Sequence, residues 1–126
     1  MGSGVVLMKH KGIYYRPMVY ICSPYAGDIE HNIEMAKKYS RFAVEHDTIP
    51  ITPHLLYPQF MDDGNENERR KAEMFNRVHL DRCDEIWVFG EKISSGMQKE
   101  INHAKNRKKK IRYFNEECEE FDHEDC

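Results

Sequence analysis

The sequence has little that would cross-link, anchor or strongly polarise it. Its 126 residues include four cysteines, Cys22, Cys83, Cys118 and Cys126, with no CxxC pair and no paired histidines at metal-ligand spacing. That pattern argues against a disulfide scaffold and against a metal site. Cys22 and Cys83 sit in apolar stretches and read as small core residues of a reduced, cytoplasmic protein. No apolar run approaches about 20 residues, so no membrane span is expected. A net charge of −3 leaves no footprint for a nucleic-acid polymer. The one dense basic run, KNRKKK at 105–110, falls late in an expected helix, where it complements the helix dipole. The opening MGSGVVLMKH lacks the features of a signal peptide, and its first four residues read as an appended leader. No internal repeat is visible.

What is present is the patterning of one soluble domain, with 40% hydrophobic and 33% charged residues. MVYIC (18–22) and EIWVF (85–89) are the continuous apolar runs of buried parallel strands, and KIRYF (110–114) is a further strand. TIPIT (48–52) is a short strand whose Pro50 confines it to a sheet edge. Helices are expected from Ile29, capped by Asp28, to about His46, from Glu66 to Arg82, and from 94 to about 107. Ala72, Phe75, His79 and Cys83 mark the inner stripe of the second helix, with Asn76 in its middle. Strands separated by single helices imply parallel pairing with right-handed crossovers. The expected fold is an open doubly wound α/β sheet, mainly parallel, of four to five strands with helices on both faces. The domain spans 18–114, after an N-terminal extension (1–17) and before an acidic C-terminal tail (115–126) read as frayed.

In such sheets ligands bind at the carboxyl ends of the strands. Three segments meet that edge. SPYAGD leaves the first strand, and Ser23, Pro24, Tyr25, Ala26 and Gly27 form either an anion cradle or a plain strand-to-helix turn. PHLLYPQFMDDGN is a long loop of the functional rather than the connective kind, and it carries His54. SSGMQKE opens the third helix. Ser95 with Gln98 has capping-box spacing, Gly96 permits a tight turn, and the serines with free helix N–H groups suit a phosphate or carboxylate. Met97, Ile101 and Ala104 define the buried stripe of that helix, and Glu100 falls about 60° from its centre. It is either a surface carboxylate or one held between core and cleft, where burial raises its pKa. Asn76, a polar group within an apolar stripe, must either bond a neighbouring backbone or reach the cleft.

Together, YICSPY, PHLLYPQF, CDEIWVFG, S-x-GM-x-x-E and the final A-x-x-x-x-K resemble the nucleoside 2-deoxyribosyltransferase-like superfamily, on the side of its 2′-deoxynucleoside 5′-monophosphate N-glycosidases. They are most similar to an uncharacterised bacterial and phage branch. The resemblance covers residues 18 to about 114. It implies that Glu100 is the nucleophile, that Tyr20 orients it, and that Ser94, six residues earlier, binds a phosphate. It also implies that Ser23 to Gly27 hold phosphate and sugar, and that His54 lies near the base or phosphate. A family carboxylate, general acid or sugar holder, falls at Asn76. An arginine of some monophosphate glycosidases falls at Ala26. The implied protein uses no cofactor and no metal, takes a small nucleoside or nucleotide, and forms a homo-oligomer, a dimer or higher.

The chemistry implied is cleavage of an N-glycosidic bond through a glycosyl-enzyme ester on Glu100. An amide at position 76 cannot protonate the leaving base, which leaves Asp62, Asp63 or His79 as substitute donors. The alternative is a non-catalytic module that keeps the nucleotide cleft to sequester or sense a nucleotide-derived molecule, and Asn76 and Ala26 favour it. A third reading, a structural oligomer recruiting a partner through its acidic tail, lacks any amphipathic pattern in that tail.

Overall fold

The computed structural model describes residues 15–123. The leader assigned to the first residues and the end of the acidic tail lie outside them. The chain runs β1 (Met18–Cys22), α1 (Ile29–Glu45), β2 (Ile49–Ile51) and two 3-10 turns (Pro53–Leu55 and Tyr57–Gln59). It continues through α2 (Glu66–Arg82), β3 (Glu85–Phe89), α3 (Ser95–Asn106), β4 (Lys110–Phe114) and β5 (Glu120–Phe121). The strands form one sheet in the order β2-β1-β3-β4-β5. β1 is parallel to β2 and β3, β3 is parallel to β4, and only β5 is antiparallel. This is the open doubly wound architecture expected from the pattern of apolar runs.

β1 and, after Glu85, β3 are apolar because both faces of the sheet are covered. Tyr20, Cys22, Ile86 and Val88 meet Leu80, Cys83, Met97, Ile101 and Ala104 on one face. Val19, Ile21, Trp87, Phe89 and Phe114 meet Tyr39 and Ala43 of α1 on the other. That second face is aromatic, with Tyr39 stacked on Phe89 at 4.2 Å and Phe89 on Phe114 at 4.9 Å between ring centroids. Pro50 sits opposite Val19 in β2, a strand at the sheet edge, where a missing N–H leaves no ladder bond unmade.

Two expectations are corrected here. The stripe of α2 is turned from the one anticipated. Cys83 is buried as expected, and within the helix Leu80 is the buried side chain, whereas Phe75 and His79 pack on Tyr57 at 5.4 and 5.7 Å between rings. The helix meets the sheet through its last turns, and its middle faces the loop after β2. The acidic tail is not frayed across its described part. Asn115 turns the chain by accepting hydrogen bonds from the Glu117 and Glu119 amides, with Cys118 in the left-handed region at φ 65°. Glu120–Phe121 then pairs with β4, and Arg112 locks the hairpin through two hydrogen bonds to Glu120 at 2.9 and 2.7 Å. The same guanidinium lies 4.9 Å over the Trp87 ring, so the tail helps to roof the aromatic face.

Candidate active site

From β1 the chain crosses to β2 on one side, and it returns to β3 on the other. Loops leaving β1 and β3 therefore part, and a crevice opens at their carboxyl ends. The three expected segments and the inner side of α2 enclose a cavity of about 390 Å³ there, a size suited to a small molecule.

Glu100 stands in its wall, one turn into α3. Its neighbours Met97, Ile101 and Ala104 are buried, so the helix is pinned and Glu100 falls at the core's margin. Tyr20 Oη donates a 2.8 Å hydrogen bond to Glu100 Oε2 from beneath, with the ring 1% exposed. Burial pushes the Glu100 carboxyl up to about 7. Hydrogen bonds from Tyr20 and Cys22 pull the other way, and the charge of Glu73 adds to the rise. Burial, with the adjacent Glu100 charge, drives Tyr20 well above the usual phenol range, so it remains a donor.

Ser94, rather than Ser95, caps α3. Its backbone is extended at φ −74°, ψ 167°, and its Oγ accepts from the Met97 amide at 3.2 Å. Ser95 is already the first helical residue, and Gln98 bonds Asn102 instead of closing a capping box. A cap needs a non-helical residue, so the hydroxyl one position earlier takes the role. The turn attributed to Gly96 is likewise displaced. The left-handed glycines are Gly27 and Gly90, whereas Gly96 is helical, and a Cβ there would meet nothing within 4 Å. Ser94, Ser95 and Gly96 all line the cavity.

The first loop contributes Ser23, Tyr25 and Ala26 to the lining; Pro24 and Gly27 shape the loop from outside it. Asn32 Nδ2 fastens the turn by donating to the carbonyls of Tyr25 and Ala26. His54 Nε2 is 2.9 Å from the Ser23 carbonyl. A carbonyl only accepts, so Nε2 carries the proton and a neutral ring keeps its lone pair on Nδ1. Burial lowers the pKa of this histidine, which favours that neutral form. Its ring lies 5.0 Å from that of Tyr25.

Among the described residues, two buried side-chain polar atoms have no partner, Ser23 Oγ and Asn76 Oδ1, and both residues line the cavity. Desolvated groups left unpaired are costly, so both atoms are placed to accept a hydrogen bond from a molecule or water entering the cavity. Of the substitute proton donors, Asp62 and Asp63 line the cavity, whereas His79 does not and bonds Tyr57 Oη at 2.6 Å. Sequence reasoning missed Tyr57, Glu73, Arg77 and Lys99 in the lining. Glu73 and Arg77 had a signal, since they flank Asn76 on α2. Among the described residues no cluster of three or more His, Cys, Asp or Glu is arranged to hold a metal ion, and no helix is long and apolar enough to cross a membrane.

Residues 17–114 match the model of a family described as a domain of unknown function (DUF7768). No curated protein gives a significant match. Among solved structures, a 2-deoxyribosyltransferase from the psychrotolerant bacterium Bacillus psychrosaccharolyticus superposes with a TM-score of 0.65 at 14% identity, over 78% of this chain and 72% of its own. A CMP N-glycosidase from Clostridium botulinum superposes with a TM-score of 0.50 at 20% identity, over 78% and 68%. At these identities the likeness establishes a shared fold.

Proposed function

The chain belongs to that family of unknown function, and from the site itself we propose that it cleaves or transfers the N-glycosidic bond of a nucleoside or nucleotide, with Glu100 as nucleophile. The observation that carries this reading is the Tyr20–Glu100 pair at the wall of a nucleotide-sized cavity. The ionised carboxylate attacks C1′ while the C1′–N bond breaks through an oxocarbenium-like transition state. The resulting ester is then released to water or to a second base. Tyr20 holds the carboxylate in position and stabilises its charge. Both fold neighbours carry out glycosyl chemistry by their names, which supports the class of reaction. Ser94 at the helix start favours a 5′-phosphate, with the α3 amides as further donors. Arg77 and Lys99 line the same cavity and supply positive charge in place of the arginine absent at Ala26.

The test is base release from a panel of nucleosides, 5′-monophosphates and NAD by the wild type, Glu100→Ala and Glu100→Gln. Release lost in both variants supports the assignment. Absence of release from every substrate by the wild type overturns it.

One observation favours a second reading. Asn76 offers an unpaired acceptor, not a proton, where the resembling enzymes carry a carboxylate. A module that binds without turnover would retain such a contact, and ligand-induced thermal stabilisation without base release would identify it. The homo-oligomer implied by the resemblance is part of the proposal. Leu56, Phe60, Met74 and Val78 are exposed apolar side chains of the long loop and α2, and light scattering tests for assembly.

A further inference from the structure

We propose that Glu73 is the proton carrier of this site, protonating the departing base and then deprotonating the water that follows. The proposal rests on the glycosyl-transfer reading above. Asn76 has no proton to give, yet a neutral base leaves poorly as an anion, so the site needs an acid elsewhere. Glu73 lies three residues before Asn76 on α2, on the same side of the helix, and both line the cavity. Its Oε1 is 4.0 Å from Nζ of Lys99, the residue preceding Glu100, which places it at the nucleophile's end. Its side chain is 40% exposed, open to base and water. The remaining charge that bears on Glu100 is that of Glu73, so the two carboxyls sense each other across the cavity.

The other acids are committed elsewhere. Asp62 Oδ1 accepts from the Gly64 amide at 2.9 Å, and Glu68 reaches back to the Asp62 amide at 2.7 Å, so both brace the loop. Asp63 lies towards the first loop, where its charge bears on His54 and Tyr25 and not on Glu100.

The proton balance closes. In the first half, the Glu73 carboxylic acid passes its proton to the base nitrogen as the C1′–N electron pair departs, and Glu100 forms the ester bond to C1′. In the second half, the Glu73 carboxylate takes a proton from water, whose oxygen bonds C1′ as the ester to Glu100 breaks. Both side chains end as they began.

The test compares Glu73→Gln and Glu73→Ala with the wild type on two substrates of the same sugar and phosphate state. One carries a neutral purine, and the other carries the N7-methylated purine, whose positive charge lets it leave without a proton. The expected result, read as the single-turnover rate of base release so that the first half alone is measured, is a loss of about 10²–10⁴-fold on the neutral base and of less than about tenfold on the methylated one. Equal losses on the two substrates, or no loss on either, overturn the role of Glu73 and leave that of Glu100 intact. A wild type inactive on both overturns the parent reading, and this one with it.

Discussion

Tyr20 Oη lies 2.8 Å from Glu100 Oε2, a bond that ties the first strand to the third helix and sets a phenol beneath a half-buried carboxylate. The phenol favours the ionised form of Glu100 and opposes the burial that raises its pKa. Tyr20→Phe keeps the ring in the core and removes that opposition. We expect the rate of base release to fall, and the pH at which it reaches half its plateau to move above that of the wild type, because the Glu100 carboxyl is raised further. Folding stability at pH 8 should drop by about 1–3 kcal/mol, the cost of a buried carboxylate losing a donor. A pH–rate profile with urea titration measures both, and an unmoved profile would remove Tyr20 from the mechanism.

Glu100 also makes stability depend on pH. Its folded pKa of about 7 stands above the ordinary 4.5, so between those values the native state binds more protons than the unfolded one. Its contribution is complete below about 4.5 and is lost as pH rises through about 7. Glu100→Gln accepts the same phenol bond without a charge. The variant should gain up to about 3 kcal/mol over the wild type at pH 8 and nearly nothing at pH 4.5. Parallel melting curves at the two pH values check the sign.

The sheet and its cleft were legible because apolar continuity in MVYIC and EIWVF can arise only where both faces are covered. Pro50 told the edge by the same logic. Helical spacing put Glu100 about 60° from the stripe of Met97, Ile101 and Ala104 and left it either at the surface or between core and cleft, and the fold decides between them. What escaped was contact between elements distant in sequence. Tyr57 draws Phe75 and His79 out of the expected core stripe, and no periodicity within α2 records a partner in the preceding loop. The cap of α3 shifted by one residue because adjacent serines are chemically alike, and only backbone geometry separates them.

In the proposed reading, Asn76 gives up stability for recognition. Its Oδ1 is buried without a partner, and a group in that state costs about 1–3 kcal/mol. Asn76→Leu has similar size and no polar atom to desolvate. The unliganded variant should be as stable as the wild type or more so, while the thermal shift induced by the best ligand of the panel disappears. A marked loss of stability would mean that Asn76 serves the fold rather than the ligand.

The tail hairpin can be read through the single tryptophan of the chain. Trp87 is 2% exposed, under the Arg112 guanidinium that Glu120 holds in place. Glu120→Ala removes that bidentate partner at the surface, where such a pair contributes at most about 1 kcal/mol, so the domain should stay folded. Arg112 then keeps Glu85, whose Oε1 lies 3.9 Å from its Nη1, but loses the bidentate hold and swings more readily from the ring. Trp87 emission should shift to the red, with faster acrylamide quenching, while far-UV circular dichroism is unchanged. Arg112→Met keeps an apolar stem over the ring without the charge, and should give back much of the shielding. If Glu120→Ala leaves the emission where it was, Glu85 suffices to hold Arg112 over Trp87 and the Glu120 pair is incidental to the roof.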